Sequence, residues 1–196
     1  MVLPMTCISF TFAKSFNVQF YKNISLVNMK NIAIIYGSSS GNTKNVASKI
    51  AQKLSGENVL LKDVADVNFA DLANYPNIIL GVSTWGIGDF QEDWAGRVAE
   101  LKNIDLTGKT LAFFGLGDSS SFSDTFNDGM GILYEAVEGK GFKLAGEFST
   151  CGYSFDASRA EKGGSFVGLA LDEDNESNLT NQRLDAWLAD VIPQLQ

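Results

Sequence analysis

From about residue 30 onward the sequence alternates between short apolar runs and longer amphipathic segments, and this alternation restricts the fold more than any other feature. Asn31–Tyr36 (NIAIIY) is a continuous apolar run, as expected of a strand buried on both faces. Residues 43–54 place Val46, Ile50 and Leu54 at a spacing of four, which predicts a helix with one apolar face. Strands that alternate with helices predict a parallel sheet covered by helices on both faces.

The same alternation continues to the end of the chain. Further strands are predicted at 59–61, 78–82, Thr110–Leu116 and 143–149, and further helices at 92–101, 125–139 and 183–195. The fifth strand is interrupted, because polar, glycine-rich residues 150–165 precede the apolar run 166–171 that resumes it. The prediction is therefore one α/β domain with an insertion in its last strand.

Composition excludes several kinds of chemistry. The chain contains no histidine, so a Ser-His-Asp triad, a histidine general base and a histidine-ligated zinc are impossible. Its two cysteines, Cys7 and Cys151, are too few for a disulfide framework and indicate a reducing compartment. No apolar run approaches the ~18 residues of a membrane-spanning helix. Redox chemistry in such a chain must come from a bound organic cofactor.

The formal net charge is −8, and it is unevenly distributed. Residues 1–28 contain Lys14 and Lys22 but no acidic residue, so the remainder is more acidic than the total suggests. This sign argues against binding to nucleic acid or to anionic membranes, and it favours a monomer that docks on basic protein surfaces. The alternative is that the charge only maintains solubility.

Residues 1–28 do not continue the pattern of strands and helices. Their composition, rich in Ser and Phe and free of acids, is compatible with a transit peptide, but they contain no arginine and one alanine. Met29 directly precedes the first strand, and we favour Met29 as the true first residue. The predicted division is a leader of doubtful status at 1–28 and a single domain at 29–196. We expect a cytoplasmic location, or an organellar one if the leader is a transit peptide.

Three loops that follow predicted strands carry the chemistry, at the sheet edge where open α/β proteins bind ligands. The first, the serine loop (residues 37–43), contains Ser38, Ser39, Ser40, Gly41, Asn42 and Thr43. Hydroxyls and helix N-terminal amides form a cradle for an anion. The loop lacks the lysine of a Walker A motif, which favours a monophosphate over a nucleoside triphosphate. The alternative is a serine-rich turn that only caps the helix.

The other two loops each offer an aromatic ring. The tryptophan loop (residues 83–89) contains Ser83, Thr84, Trp85, Gly86, Ile87 and Gly88. The phenylalanine loop (residues 115–124) contains Leu116, Gly117, Asp118 and Phe122, and Thr125 directly follows it. The glycines allow a flat ligand to approach the backbone, and the indole provides a stacking face. The alternatives are that the indole folds into the core, that the phenyl ring packs under its loop, and that the aspartate caps a turn.

Taken together and in this order, the loops resemble those of long-chain flavodoxins over about residues 30–195. The resemblance continues through Asp156, 166–169 and 171–175. It implies a flavodoxin-like doubly wound sheet of five parallel strands in the order 2-1-3-4-5, with helices on both faces. The interrupted fifth strand is typical of the long-chain subclass.

The resemblance also implies a role for each loop. Hydroxyls of Ser38, Ser40 and Thr43, with the amides of the serine loop, would hold the phosphate of FMN. Trp85 would stack on the inner face of the isoalloxazine and Phe122 on the outer face, where the family usually has tyrosine. The Gly86 carbonyl would face N5, and Gly88 and Asp118 would lie near the pyrimidine edge. More variable contact positions are Thr125, Asn127 and Asp174.

The expected function is that of a low-potential one-electron carrier, which is not an enzyme and serves basic-surfaced redox partners such as an NADP-type reductase. The cofactor is expected to be FMN rather than FAD, because a single phosphate cradle is present without an adenosine-binding fingerprint. The main alternative is an FMN-dependent NAD(P)H:quinone oxidoreductase, which would need open space over the flavin. A phospho-receiver module is excluded, since residues 37–39 and 83–84, directly after the first and third strands, include no acidic residue.

Overall fold

The computed structural model describes residues 29–196. The proposed leader, residues 1–28 with Cys7, lies outside the described residues. The strands are β1 (Asn31–Tyr36), β2 (Asn58–Asp63), β3 (Asn77–Trp85), β4 (Asp89–Phe90), β5 (Thr110–Leu116), β6 (Lys143–Ala145), β7 (Phe148–Ser149), β8 (Glu161–Lys162), β9 (Ser165–Phe166) and β10 (Leu169–Leu171). The α-helices are α1 (Asn42–Lys53), α2 (Glu92–Leu101), α3 (Asp128–Glu135) and α4 (Thr180–Val191).

The main sheet confirms the predicted strand order. Its neighbours run β2, β1, β3, β5, all parallel, and the fifth position is shared by two short strands. β6 pairs with the first half of β5 and β10 with its second half. The chain therefore leaves the sheet halfway along its last strand and returns to the same strand position.

The segment between these two half-strands is more ordered than predicted. Residues 150–165 were expected to be a polar interruption of the fifth strand. Instead, β7, β8 and β9 form a small antiparallel sheet that includes part of this segment. Strands of two residues are too short to produce a period in the sequence, so the pattern gave no signal for them. We call residues 148–166 the insertion.

Each face of the main sheet carries its own apolar core. Ile32 and Ile34 of β1 point towards α1 and α4, whereas Ala33 and Ile35 point to the other side, towards α2 and α3. Successive residues of a strand face opposite sides, so β1 must be apolar throughout to serve both cores. This explains the continuous apolar run in the sequence.

Two helix predictions had wrong bounds: α4 spans Thr180–Val191 rather than 183–195, and α3 is shorter than predicted at both ends and stops at Glu135. A helix was expected at 125–139, but α3 begins at Asp128 and is preceded by a 3₁₀ turn at Ser123–Thr125. Asn127 has a φ of 60°, a left-handed conformation that interrupts the helical path. Among the described residues, no helix has both the length and the apolar character to cross a membrane.

Candidate functional site

A cavity of about 340 Å³ opens at the carboxyl edge of the main sheet. Its walls come from segments that follow β1, β3, β5 and β10, so the strand order brings distant parts of the chain together. The predicted residues that line it are Ser40, Asn42, Ser83, Thr84, Trp85, Gly86, Leu116, Gly117, Asp118, Phe122, Thr125 and Asp174. The predicted residues outside the lining are Ser38, Ser39, Gly41, Thr43, Ile87, Gly88 and Asn127.

The serine loop caps the helix that follows it, and two of its residues also line the cavity. Ser38 Oγ accepts hydrogen bonds from the amides of Gly41 and Lys44, both at 3.2 Å, and so caps the start of α1. Ser39 Oγ accepts from Gln91 Nε2 at 3.2 Å. Ser40 and Asn42 reach the cavity. As a hydroxyl that accepts can still donate its own proton, Ser38 caps the helix and keeps a donor for an anion.

The tryptophan loop presents its ring outward. Trp85 is 43% exposed and Ile87 81% exposed, so the indole does not fold into the core. The indole Nε1 donates to Ser83 Oγ at 3.0 Å, which fixes the ring within its own loop. Gly86 and Gly88 have φ values of 51° and 96°, which L side chains adopt only with strain. The loop thus combines an accessible stacking face with a backbone that needs glycine.

The phenylalanine loop is fixed at its start by Asp118. The carboxylate accepts from the amides of Ser120 and Ser121 at 2.9 and 2.8 Å, and from Asn175 Nδ2 at 2.8 Å. These hydrogen bonds, above all the one from the Ser121 amide, lower the pKa of Asp118. The aspartate therefore caps the turn, as one interpretation held, while it also lines the cavity. Phe122 is 38% exposed and faces away from the core.

A second carboxylate, Asp172, ties this loop to the end of β10. It is buried and accepts from the Ser119 amide at 2.9 Å, from Ser119 Oγ at 2.7 Å and from the Asn175 side chain. Burial alone would raise its pKa, but the hydrogen bonds from Ser119 and Asn175 outweigh burial and leave the pKa below its usual value. Asp172 was not among the predicted site residues.

Two buried polar atoms beside the cavity have no hydrogen-bond partner among residues 29–196. They are Thr125 Oγ1 and Asn127 Oδ1. An unsatisfied buried polar group costs about 1–3 kcal/mol. Thr125 lines the cavity, and a ligand there can supply the missing partner.

The cavity is acidic. Three carboxylates line it, from Asp118, Glu173 and Asp174, and no lysine or arginine does. Glu173 was missed, although it belongs to the 171–175 run that carried the resemblance and stands beside the predicted Asp174. Within residues 29–196, no group of three or more Cys, Asp or Glu side chains is placed to hold a metal ion.

Comparisons with known proteins agree on one family. Residues 34–187 match the sequence model of the family described as Flavodoxin. The chain is 42% identical over 169 residues to a flavodoxin of Synechocystis, covering 86% of this chain and 99% of the relative. It is 42% identical to flavodoxin 1 of Azotobacter vinelandii, covering 82% of this chain and 95% of the relative. The crystal structure of Fusobacterium nucleatum flavodoxin bound to flavin mononucleotide superposes with a TM-score of 0.81 at 32% identity, covering 86% of this chain and all of that one.

Proposed function

The chain belongs to the flavodoxin family, and from that premise we propose that it is a one-electron carrier that binds one FMN in the acidic cavity. The observation that carries the proposal is the cavity wall itself. Two exposed aromatic side chains, Trp85 and Phe122, line one cavity together with the unpaired hydroxyl of Thr125. Aromatic rings exposed to water and a buried polar atom without a hydrogen-bond partner are both unfavourable. A flat ligand with polar edges would cover the rings and provide the missing partner.

The residues present fit this cofactor. Trp85 and Phe122 would hold the isoalloxazine ring, and Asp118 and Thr125 would contact its polar edge. Ser38, Ser40 and Asn42, with the first amides of α1, would hold the phosphate, because a helix N-terminus carries partial positive charge and free N–H groups. No lysine is needed there for a single phosphate.

FMN, when bound, supplies electron transfer in single steps, which no side chain of this chain can provide. The protein's part is to bind, orient and set the electrostatic environment. Because Asp118, Glu173 and Asp174 line the cavity without a basic counterpart, additional negative charge is disfavoured there. We therefore expect a low reduction potential. As an electron-transfer protein, the chain needs no acid, base or nucleophile of its own.

The identity of the cofactor is directly testable. Full-length protein, reconstituted with flavins and purified, is expected to release FMN and no FAD on heating, in a 1:1 ratio to protein by mass spectrometry. Release of FAD, or failure to retain FMN after reconstitution, would refute the proposal.

An FMN-dependent NAD(P)H:quinone oxidoreductase is the less favoured alternative. Such an enzyme requires space for a second substrate over the flavin. Here aromatic side chains from two loops, Trp85 and Phe122, line the same cavity and would cover the ring.

The partners in this proposal are redox proteins with basic surfaces, met in the cytoplasm, or in an organelle if residues 1–28 act as a transit peptide. A chain of net charge −8 is steered toward positive patches, and salt screens this attraction. The rate of reduction by a competent reductase should therefore fall as ionic strength rises. A rate that is independent of salt would contradict electrostatic docking.

A further inference from the structure

The amino edge of the main sheet, opposite the cavity, carries a buried asparagine. Asn77 is the first residue of β3, and its side chain is fully buried. β3 runs for nine residues from Asn77 to Trp85, which lines the cavity. At a rise of about 3.3 Å per residue, roughly 26 Å separate the two ends of the strand. Contacts of Asn77 are therefore remote from the cofactor site.

The amide of Asn77 is paired at both of its polar atoms, and every partner is a main-chain group. Its Nδ2 donates to the Asn31 carbonyl at 3.1 Å and to the main-chain oxygen of Gln196 at 2.9 Å. Its Oδ1 accepts from the Gln196 amide at 2.8 Å. Asn77 thus exchanges two hydrogen bonds with the main chain of Gln196, as paired residues of antiparallel strands do.

Other groups at this edge bind the same end of the sequence. The Gln196 side chain donates from Nε2 to the Gly108 carbonyl at 2.7 Å and to Thr110 Oγ1 at 3.1 Å. The Lys30 ammonium donates to the Leu195 carbonyl. The Leu195 side chain is buried in the core that faces α1 and α4. We call Lys30, Asn77, Gly108 and Thr110 the tail clamp, and residues 195–196 the tail.

The tail depends on the tail clamp because it has left the helix before it. α4 ends at Val191, a 3₁₀ turn follows at Ile192–Gln194, and Leu195 is extended with a φ of −67° and a ψ of 146°. The Gln196 amide therefore has its acceptor in Asn77 and not in the last turn of a helix. The last residues of a domain are ordinarily poorly ordered unless something holds them.

We propose that the tail clamp is a binding site for the main chain of the tail, and that it protects the end of α4 from carboxypeptidases. Such an enzyme draws the last residues of its substrate into its own cleft, so it can act only on a tail that has left the clamp. How often the tail leaves is set by the free energy of its contacts. This inference does not rest on the proposed FMN site, since clamp and cavity lie at opposite edges of the sheet.

The test measures release of the tail in full-length protein that ends at Gln196. Carboxypeptidase Y is added, and loss of Gln196 is followed by mass spectrometry. Asn77→Ala should accelerate this loss about fivefold to 150-fold, the range expected when a buried hydrogen-bonding group loses its partner. Hydrogen exchange of the Gln196 amide should accelerate by a similar factor. Asn74→Ala, which changes an exposed asparagine nearby, is the matched control and should leave both rates unchanged.

A second pair of variants changes the tail and leaves β3 intact, so the test does not depend on whether Asn77→Ala folds. Gln196→Pro removes the N–H that donates to Asn77, and Leu195 already has the extended backbone that a following proline requires. Gln196→Ala removes only the side-chain bonds to Gly108 and Thr110. The side-chain amide protons of Asn77, followed by NMR, should exchange faster in Gln196→Pro than in Gln196→Ala.

FMN affinity separates a local effect from a general one, and it should be the same in all these variants. Equal digestion of wild type and Asn77→Ala would overturn the inference, and so would equal exchange of the Asn77 side chain in Gln196→Pro and Gln196→Ala. Faster digestion of Asn77→Ala together with weaker FMN binding would also overturn it, because the whole domain would then have loosened. Failure of the wild type to bind FMN would refute the proposed function and leave the tail clamp standing.

Discussion

The two aromatic loops around the cavity are built in opposite ways. In the tryptophan loop, Trp85 is hydrogen-bonded to Ser83 of the same loop, Ile87 is 81% exposed, and two glycines have positive φ. In the phenylalanine loop, by contrast, Asp118 and Asp172 bind one end and the insertion binds the other. Distant parts of the chain hold both ends of the phenylalanine loop, whereas the tryptophan loop has one such bond, from the Gly129 amide to Thr84 Oγ1 before the ring, and its residues 85–88 are held mainly by the loop itself.

This difference indicates that the two loops have different roles in binding the cofactor. A wall that is already in place costs little conformational entropy when a ligand binds, so the phenylalanine loop is suited to give affinity and orientation. A loop with few outside contacts can open or change its peptide geometry at low cost. We therefore expect the tryptophan loop to be the wall that adjusts to the state of the cofactor. Substitutions that change one loop at a time can show whether the other loop compensates for the lost affinity or stability.

The largest effect is expected from Gly86→Val in the tryptophan loop, which we call the adjustable wall. A Cβ at Gly86 would meet only Asp89 Oδ2, at 2.9 Å, the mobile end of a side chain, so the cost comes from the positive φ rather than from packing. Strain of this kind costs about 1–3 kcal/mol, which corresponds to roughly a fivefold to 150-fold weaker binding of the one-electron-reduced flavin relative to oxidised FMN. If the Gly86–Ile87 peptide turns during reduction, the two one-electron midpoint potentials should also approach each other in a redox titration.

Gly108→Val is the matched control for this variant. Gly108 has a φ of 72°, a Cβ added there would have no neighbouring atom within 4 Å, and the residue is outside the cavity lining. The substitution should lower the free energy of unfolding without changing FMN affinity or the separation of the potentials. If Gly86→Val weakens binding equally in every redox state and leaves that separation unchanged, the tryptophan loop does not adjust, and the contrast between the walls fails.

A smaller effect is expected from Asp172→Asn, which changes a contact of the phenylalanine loop, the fixed wall. The free energy of unfolding should fall by on the order of 1.5 kcal/mol, because charged acceptors make stronger hydrogen bonds. The pKa of Asp172 is lowered in the folded state from an ordinary value of 3.8. Its contribution to stability is therefore present above pH about 4 and is lost as the pH falls through the native pKa. The difference in unfolding free energy between wild type and Asp172→Asn should shrink in acid.

Trp85→Leu serves as the comparison for that pH series. It changes the other wall without removing a titratable group, so its effect on unfolding should be constant over the same pH range. A difference for Asp172→Asn that persists undiminished at about pH 3, below the ordinary pKa of an aspartate, would mean that the ionised carboxylate does not hold the phenylalanine loop.

The sequence predicted residues of both walls, but it did not predict the bonds that hold the fixed wall, and the reason is physical. β3 and the tryptophan loop form one local segment, and a tryptophan between hydroxyls and glycines is visible in the sequence itself. The bonds of the fixed wall join residues 53 positions apart, as in Ser119 to Asp172, or 33 apart, as in Ser123 to Asp156. No periodicity or motif signals such pairs. Glu173 was missed although its neighbour Asp174 was predicted, and the start of α3 was placed too early because Asn127 adopts a left-handed φ of 60° that no periodicity signals.

The smallest effect is expected from replacing the Phe122 ring in the fixed wall, and this substitution is the most sensitive test of the contrast between the two walls. Phe122→Leu keeps an apolar side chain but removes the aromatic face, which is worth about 0.5–1.5 kcal/mol beyond burial, or roughly twofold to tenfold in the Kd for FMN. Phe122→Tyr keeps an aromatic ring at this position and should bind FMN at least as well as the wild type. Because the fixed loop cannot move another group into the gap, the full loss should appear in Phe122→Leu. Asp156 Oδ2 accepts from Ser123 Oγ, next to Phe122. Asp156→Ala removes this bond and should loosen the loop, so in this background the further cost of Phe122→Leu should be smaller. Equal costs of Phe122→Leu in both backgrounds, measured by FMN titration, would show that the insertion does not determine where the ring stands.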